Sequence, residues 1–357
     1  MPVMKRTSLV LQMLTGVAVT TATYVLTSRR RRGADGKRSG GRVVLITGGS
    51  RGLGLALAER FAREGSRLVL TARDMEELTE ARNRLLKGRV VRSAEDVLLI
   101  PADLTDQTQA VNLVEHAIAH FGRIDVLINN AGVIEVGPVE DQPLEAYRRA
   151  MATNFFAALY MTQSVLPYML GRGRGRQAAI VNICSIGGKV AVPHVLPYTA
   201  SKFALVGFSE GLYAELRHKG VRVTTVCPGL MRTGSHVHAG FVGNRKKEER
   251  WFSLAATLPV VTASVKHAAN RIYDAVAQGR AEITITPQAW LAARVAALAP
   301  ETTQRLAGLV NEFVLPAPLA LAPRSVPVEK SGSEAEEEDQ GKRTMAPWAS
   351  PVNQVVM

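Results

Sequence analysis

Cysteine is nearly absent from this chain, with only Cys184 and Cys227 in 357 residues. A disulfide framework is therefore excluded as the source of stability, and both residues sit in apolar runs where they read as small core side chains, consistent with a reducing compartment. Aromatic residues are scarce at 5%. With no stacking platform and no zinc-finger spacing, nucleic acid is not an expected partner. His236 and His238 lack further ligands nearby, so no metal site is expected. No internal repeat is visible beyond an alternation of apolar strands and amphipathic helices. Acidic residues are outnumbered 31 to 44, giving a net charge of +13.

The location of that charge matters more than its size. Within residues 1–42, nine basic side chains stand against Asp35 alone, so eight of the thirteen net charges lie there. They flank residues 9–27, a run of 19 positions without a charge, diluted by Gln12 and five threonines. As a helix it reaches ~28 Å, close to the hydrocarbon thickness of a bilayer. The reading is a membrane anchor, with a cleaved signal peptide or an Arg/Thr-rich presequence as alternatives. The Arg29–Arg32 run just after it argues for retention on the cytoplasmic side, so the catalytic domain is expected to face the cytoplasm. Residues 33–41 read as a flexible Gly/Ser/Lys linker.

From Arg42 the pattern becomes that of a folded domain, and 46% hydrophobic residues are enough for a well-buried core. Short runs apolar on both faces, at 43–46, 67–72, 97–101, 126–129, 179–183 and 221–227, alternate with helical periodicity, notably at 75–86 and 107–121. Strands apolar throughout imply a parallel sheet covered on both sides. The expected fold is α/β, a doubly wound Rossmann-like sheet in three α/β/α layers, forming one catalytic domain over 42–286. Residues 287–315 read as a helical extension whose two apolar segments, 290–298 and 303–313, are expected to pack on the core, with a dimer interface or a membrane as alternatives. Residues 316–357, rich in Pro, Ser and Glu, read as a disordered tail.

Two constellations carry chemistry. In Tyr198-Thr199-Ala200-Ser201-Lys202, a phenol and an ammonium four residues apart share one helix face and form an acid/base candidate, the ammonium lowering the phenol's pKa. In Thr47-Gly48-Gly49-Ser50-Arg51-Gly52-Leu53-Gly54, the glycines between a strand and a helix let backbone approach a pyrophosphate at a helix N-terminus. The spacing is GxxxGxG, not the generic GxGxxG. At the end of the second strand, Ala72 stands where a carboxylate would bind a ribose 2′-hydroxyl. Arg73 and Arg51 suit a 2′-phosphate, so NADP(H) is favoured over NAD(H), with capping of the loop as the bland reading of Arg73 and Asp74.

These motifs, with Asp103, Asn129-Asn130-Ala131-Gly132, Asn154, Ser185 and Pro228-Gly229 in this order, resemble the short-chain dehydrogenase/reductase family over residues 42–286. The resemblance implies that Gly48, Ser50, Arg51, Gly52, Leu53 and Gly54 cradle the dinucleotide. It also implies that Asp103 and Leu104 meet adenine, that Asn130, Ala131 and Gly132 line a ribose, and that Pro228, Gly229 and Thr233 lie over the nicotinamide. In the same way it makes Tyr198 the proton donor and gives Lys202 the further task of binding the nicotinamide ribose. Ser185 would bond the substrate oxygen, and Asn154 would hold a water leading from Lys202 to solvent.

The implied activity is interconversion of a ketone or aldehyde and an alcohol. Residues 234–259 occupy the usual position of the substrate loop, and their Phe241, Trp251 and Phe252 suit a lipid-like or steroid-like substrate. A homodimer or homotetramer is implied through helices at 157–170 and 198–219. A non-catalytic NADP(H)-binding sensor and a membrane-tethered scaffold are the rival readings.

Overall fold

The computed structural model describes residues 41–170, 178–232, 234, 239–257 and 262–319. The anchor-like segment 9–27, Thr233, His236, His238 and all of the acidic tail beyond 319 lie outside the described residues. Among the described residues no helix is long and apolar enough to cross a membrane.

Seven strands form one sheet: β1 (Val43–Thr47), β2 (Arg67–Ala72), β3 (Val97–Pro101), β4 (Val126–Asn129), β5 (Ala178–Ile183), β6 (Val221–Cys227) and β7 (Glu282–Thr284). Their order is β7-β6-β5-β4-β1-β2-β3 and every pairing is parallel. Parallel neighbours need crossovers, and here helices supply most of them: α1 (Gly52–Arg63), α2 (Met75–Lys87), α3 (Gln107–Phe121), α4 (Leu144–Met151), α5 (Ala157–Leu170), α6 (Leu196–Leu216), α7 (Arg245–Thr257) and α8 (Val265–Gln278). The sheet reverses its winding between β1 and β4, the point at which α/β sheets open a crevice at the carboxyl ends of their strands.

Two apolar layers cover the two faces, which explains strands without alternation. Val44 and Ile46 of β1 face α1, α2 and α8, whereas Val43 and Leu45 face α3 and α5. Phe61, 1% exposed, meets Tyr273 of α8 edge to face at 5.0 Å; burial of one such side chain contributes about 1.5–3 kcal/mol. Cys184 and Cys227 are free and buried in a smaller cluster with Leu205 and Val206.

One polar ladder crosses this core. Asn129 Nδ2 donates to Asn182 Oδ1 at 2.9 Å, Asn182 Nδ2 donates to Ser209 Oγ at 3.0 Å, and Ser209 shares a proton with Thr225 Oγ1 at 2.7 Å. It links β4, β5, α6 and β6.

The C-terminal extension departs from expectation. It forms α9 (Pro287–Leu298) and α10 (Pro300–Phe313), but the apolar stripe Leu306, Leu309, Val310 and Phe313 is exposed and α10 has no buried residue. Only Ala289 of α9 is buried. The spacing that suggested packing on the core gives an amphipathic helix but does not choose what its apolar face meets.

Candidate active site

The first turn is built by backbone. Gly48 and Gly52 take φ of 62° and 55°, where a side chain is strained. A Cβ on Gly54 would stand 2.0 Å from the Gly48 carbonyl oxygen and 2.7 Å from Asn130 Nδ2. Asn130 closes the turn against β4, donating through Nδ2 to the Thr47 and Gly48 carbonyls at 2.9 and 3.1 Å, while Thr47 Oγ1 accepts from the Asn130 and Ala131 amides. No side chain caps α1, whose N-cap is Arg51, whereas α2 and α3 are capped by Asp74 and Asp106. An uncapped helix start behind a glycine cradle fits a pyrophosphate, which would satisfy those amides.

Beside the glycine turn a carboxylate engages Arg51. Arg51 Nη1 pairs with Glu77 Oε1 at 2.5 Å, and Ser50 Oγ donates to Glu77 Oε2 at 2.8 Å. Arg73 is exposed, and Asp74 is spent on the amides of Glu76 and Glu77. Glu77 was missed because it stands 26 positions from Arg51 and nothing in the sequence marks the pair. Asp103 accepts from the amide and hydroxyl of Thr105 at 3.0 and 2.8 Å, and Leu104 is buried against α3.

The second half of the site sits at the ends of β4, β5 and β6. Asn154 lies in a single π-turn, Ala152–Phe156, between α4 and α5, and is 1% exposed. Its Oδ1 accepts from the Val133 amide at 2.8 Å, and its Nδ2 donates to the Val133 carbonyl at 3.0 Å and to Ser201 Oγ at 2.8 Å. Both amide hydrogens are thus engaged, leaving one lone pair of Oδ1 for any water. A Cβ on Gly132 would come 3.0 Å from that oxygen and 3.6 Å from Lys202 Nζ, so the turn after β4 lies against both side chains.

Lys202 is 4% exposed and donates to the Ile183 carbonyl at 2.9 Å. An ammonium carries three donors, so two remain. Burial lowers its pKa. Its Nζ stands 5.7 Å from the centre of the Tyr198 ring. Ser185 begins the turn Ile186–Gly188, and its Oγ accepts from the Gly187 amide at 3.0 Å. Gly187 lies between Ser185 and the Tyr198 ring, since a Cβ there would come 3.4 Å from Ser185 Oγ and 3.3 Å from Tyr198 Cε1. Gly188 is required, since a Cβ there would meet the Lys202 carbonyl oxygen at 2.5 Å.

Burial pushes the Tyr198 phenol up to about 12. After β6, Pro228 is buried and its carbonyl accepts from the Ile186 amide at 2.8 Å. Gly229 abuts Thr286, whose Oγ1 would lie 2.5 Å from a Cβ there, so the start of α9 braces this segment. The structure therefore brings Asn154, Ser185, Tyr198 and Lys202 to one end of the sheet, beside the glycine turn. Among the described residues no group of His, Cys, Asp and Glu could hold a metal ion.

Known proteins share this organisation. The chain is 33% identical to a dehydrogenase/reductase SDR family protein 7-like of Anopheles gambiae over 69% of its length and 75% of that protein. It is 38% identical to the human dehydrogenase/reductase SDR family member 7 over 54% of its length and 56% of that protein. A short-chain dehydrogenase/reductase from Burkholderia phymatum, solved in complex with NAD, superposes with a TM-score of 0.67 at 25% identity, covering 80% of this chain and 99% of that one. With the short chain dehydrogenase family model matching residues 42–239, the chain belongs to that family of oxidoreductases, which act on CH–OH groups and bind a nicotinamide cofactor.

Proposed function

We propose that the protein is an NADP(H)-dependent reductase of hydrophobic ketones or aldehydes, operating reversibly on the corresponding alcohols. The observation that carries this reading is the gathering of Ser185, Tyr198 and the buried Lys202 around the end of β5, with Lys202 Nζ 5.7 Å from the centre of the Tyr198 ring. When bound, the nicotinamide supplies or accepts the hydride. The chain's own residues do the rest. Tyr198, protonated at neutral pH, donates to the substrate oxygen as charge develops there; Ser185 donates a hydrogen bond to the same oxygen; Lys202 stabilises the phenolate that remains. Asn154 holds the backbone of Val133 and, through Ser201, the turn of helix that carries Tyr198.

The phosphate preference rests on Arg51 in the glycine turn and Arg73 just after β2, with no carboxylate at Ala72. Glu77 opposes it, because a 2′-phosphate must take Arg51 from that carboxylate. The preference for apolar substrates rests on Phe241, Trp251 and Phe252, whose rings meet edge to face at 6.0 and 5.7 Å. We include in the proposal membrane association through residues 9–27 with the domain on the cytoplasmic side. A homodimer or homotetramer through α5 and α6 also belongs to it, with Tyr168, Leu170 and Phe203 among their exposed apolar side chains.

The test is binding of NADPH and NADH to the full chain, followed by oxidation of NADPH against polycyclic, long-chain and small ketones. Tight NADPH binding with turnover of the large ketones is the expected result. Binding of neither nucleotide, or turnover of small ketones alone, would overturn it.

A further inference from the structure

A carboxylate without any solvent exposure lies outside the catalytic set. Glu248, on α7 of the substrate segment, is 0% exposed, with both oxygens 3.0 Å from His194 Nδ1. Trp251 Nε1 donates to the same carboxylate at 2.6 Å. His194 is 4% exposed and stands four residues before Tyr198 with φ of 63°, a left-handed backbone that a side chain with a Cβ adopts only when its surroundings impose it. Its carbonyl accepts from the Gly137 amide at 2.7 Å.

Apolar side chains would join this helix and loop without the cost of burying a charge. Hydrogen bonds differ from them in being directional, so the cluster admits one geometry. It ties α7 to the loop that enters the catalytic helix. The same segment is held a second time where Gly240–Phe241 pairs with Glu135–Val136. The aromatic wall of Phe241, Trp251 and Phe252 runs between the two ties, and the His194 ring meets Trp251 edge to face at 6.2 Å.

We infer that Glu248, His194 and Trp251 are positioning residues that clamp this wall in fixed relation to Tyr198, setting the affinity for bulky apolar carbonyl substrates without taking part in cofactor binding. The inference rests on the reductase reading and deepens it.

Two variants of the full chain, both outside the aromatic wall, test it. His194→Asn tolerates the left-handed backbone while withdrawing the imidazole from the carboxylate, and Glu248→Gln keeps the shape while exchanging one carboxylate oxygen for an amide nitrogen. In each, KM for a polycyclic ketone should rise about tenfold, with kcat, KM for a small ketone and the NADPH Kd all within about twofold of the unmodified protein. A lower melting temperature with an unchanged ratio of the two KM values would overturn the inference, as would a matching loss of NADPH affinity. If the unmodified chain reduces no ketone, the reductase reading fails separately. Hydrogen exchange across α7 then decides the clamp: faster exchange in Glu248→Gln supports it, and unchanged protection refutes it.

Discussion

Arg51 and Glu77 form an ion pair across the mouth of the glycine turn, and Ser50 donates to the same carboxylate. Their side chains are 51% and 37% exposed, so the pair contributes at most about 1 kcal/mol and a phosphate dianion can displace it. Glu77→Gln should therefore tighten NADPH binding about three- to tenfold and leave NADH nearly unchanged. Arg51→Ala with Arg73→Ala should lower the NADPH-to-NADH affinity ratio at least about tenfold. A ratio unmoved by the double substitution, measured by nucleotide fluorescence, would remove the assignment to NADP(H).

The raised phenol of Tyr198 makes the direction of catalysis depend on pH. With Tyr198 raised to about 12, the neutral form dominates at pH 7 and is the one that donates a proton to a carbonyl. Ketone reduction should be nearly flat from about pH 6 to 8, whereas alcohol oxidation, which needs phenolate, should climb over the same range. Tyr198→Phe should reduce turnover by on the order of 10³-fold while nucleotide Kd stays within about twofold. Pre-steady-state hydride transfer in both directions is the measurement.

Alkali should loosen the fold through three groups. Burial raises Tyr198 and Cys227 to about 12, from ordinary values of 10.0 and 9.0, and raises Cys184 as well. Because the folded values exceed the unfolded ones, the stability they contribute is complete below about pH 9 and is lost as pH rises toward 12. The slope is on the order of 1 kcal/mol per group per pH unit. Melting temperatures of the protein and of Cys184→Ala with Cys227→Ala, followed from neutral pH into this range, should converge as the pH rises.

Gly54→Ala should abolish binding of both nucleotides. The added methyl cannot coexist with the Gly48 carbonyl 2.0 Å away, so the cradle must open. Isothermal titration showing intact affinity would mean that the turn does not hold the pyrophosphate.

Six of the seven strands were legible because each is apolar on both faces and the glycine turn follows the first, whereas β7 is three residues long with only Ile283 buried and gives no such run. Tyr198 and Lys202 were legible from helix spacing, whereas Asn154 and Ser185 entered only through the resemblance to the short-chain dehydrogenase/reductase family. Glu77 and Glu248 were not legible. Each gains meaning from a partner brought close by tertiary folding, His194 being 54 residues from Glu248, and neither local periodicity nor composition encodes such distances. The exposed stripe of α10 was misread for a related reason, because amphipathicity fixes a face and leaves its partner open.

The amide and hydroxyl ladder from Asn129 to Thr225 acts as a register key for the sheet. A slip of one residue in β4, β5 or β6 would turn these groups toward the opposite helix layer and strand them among aliphatic side chains. Replacement by aliphatic residues of equal volume could raise the melting point while blurring strand alignment. The cost would then fall on Lys202, whose ammonium takes its place from the carbonyl at the end of β5.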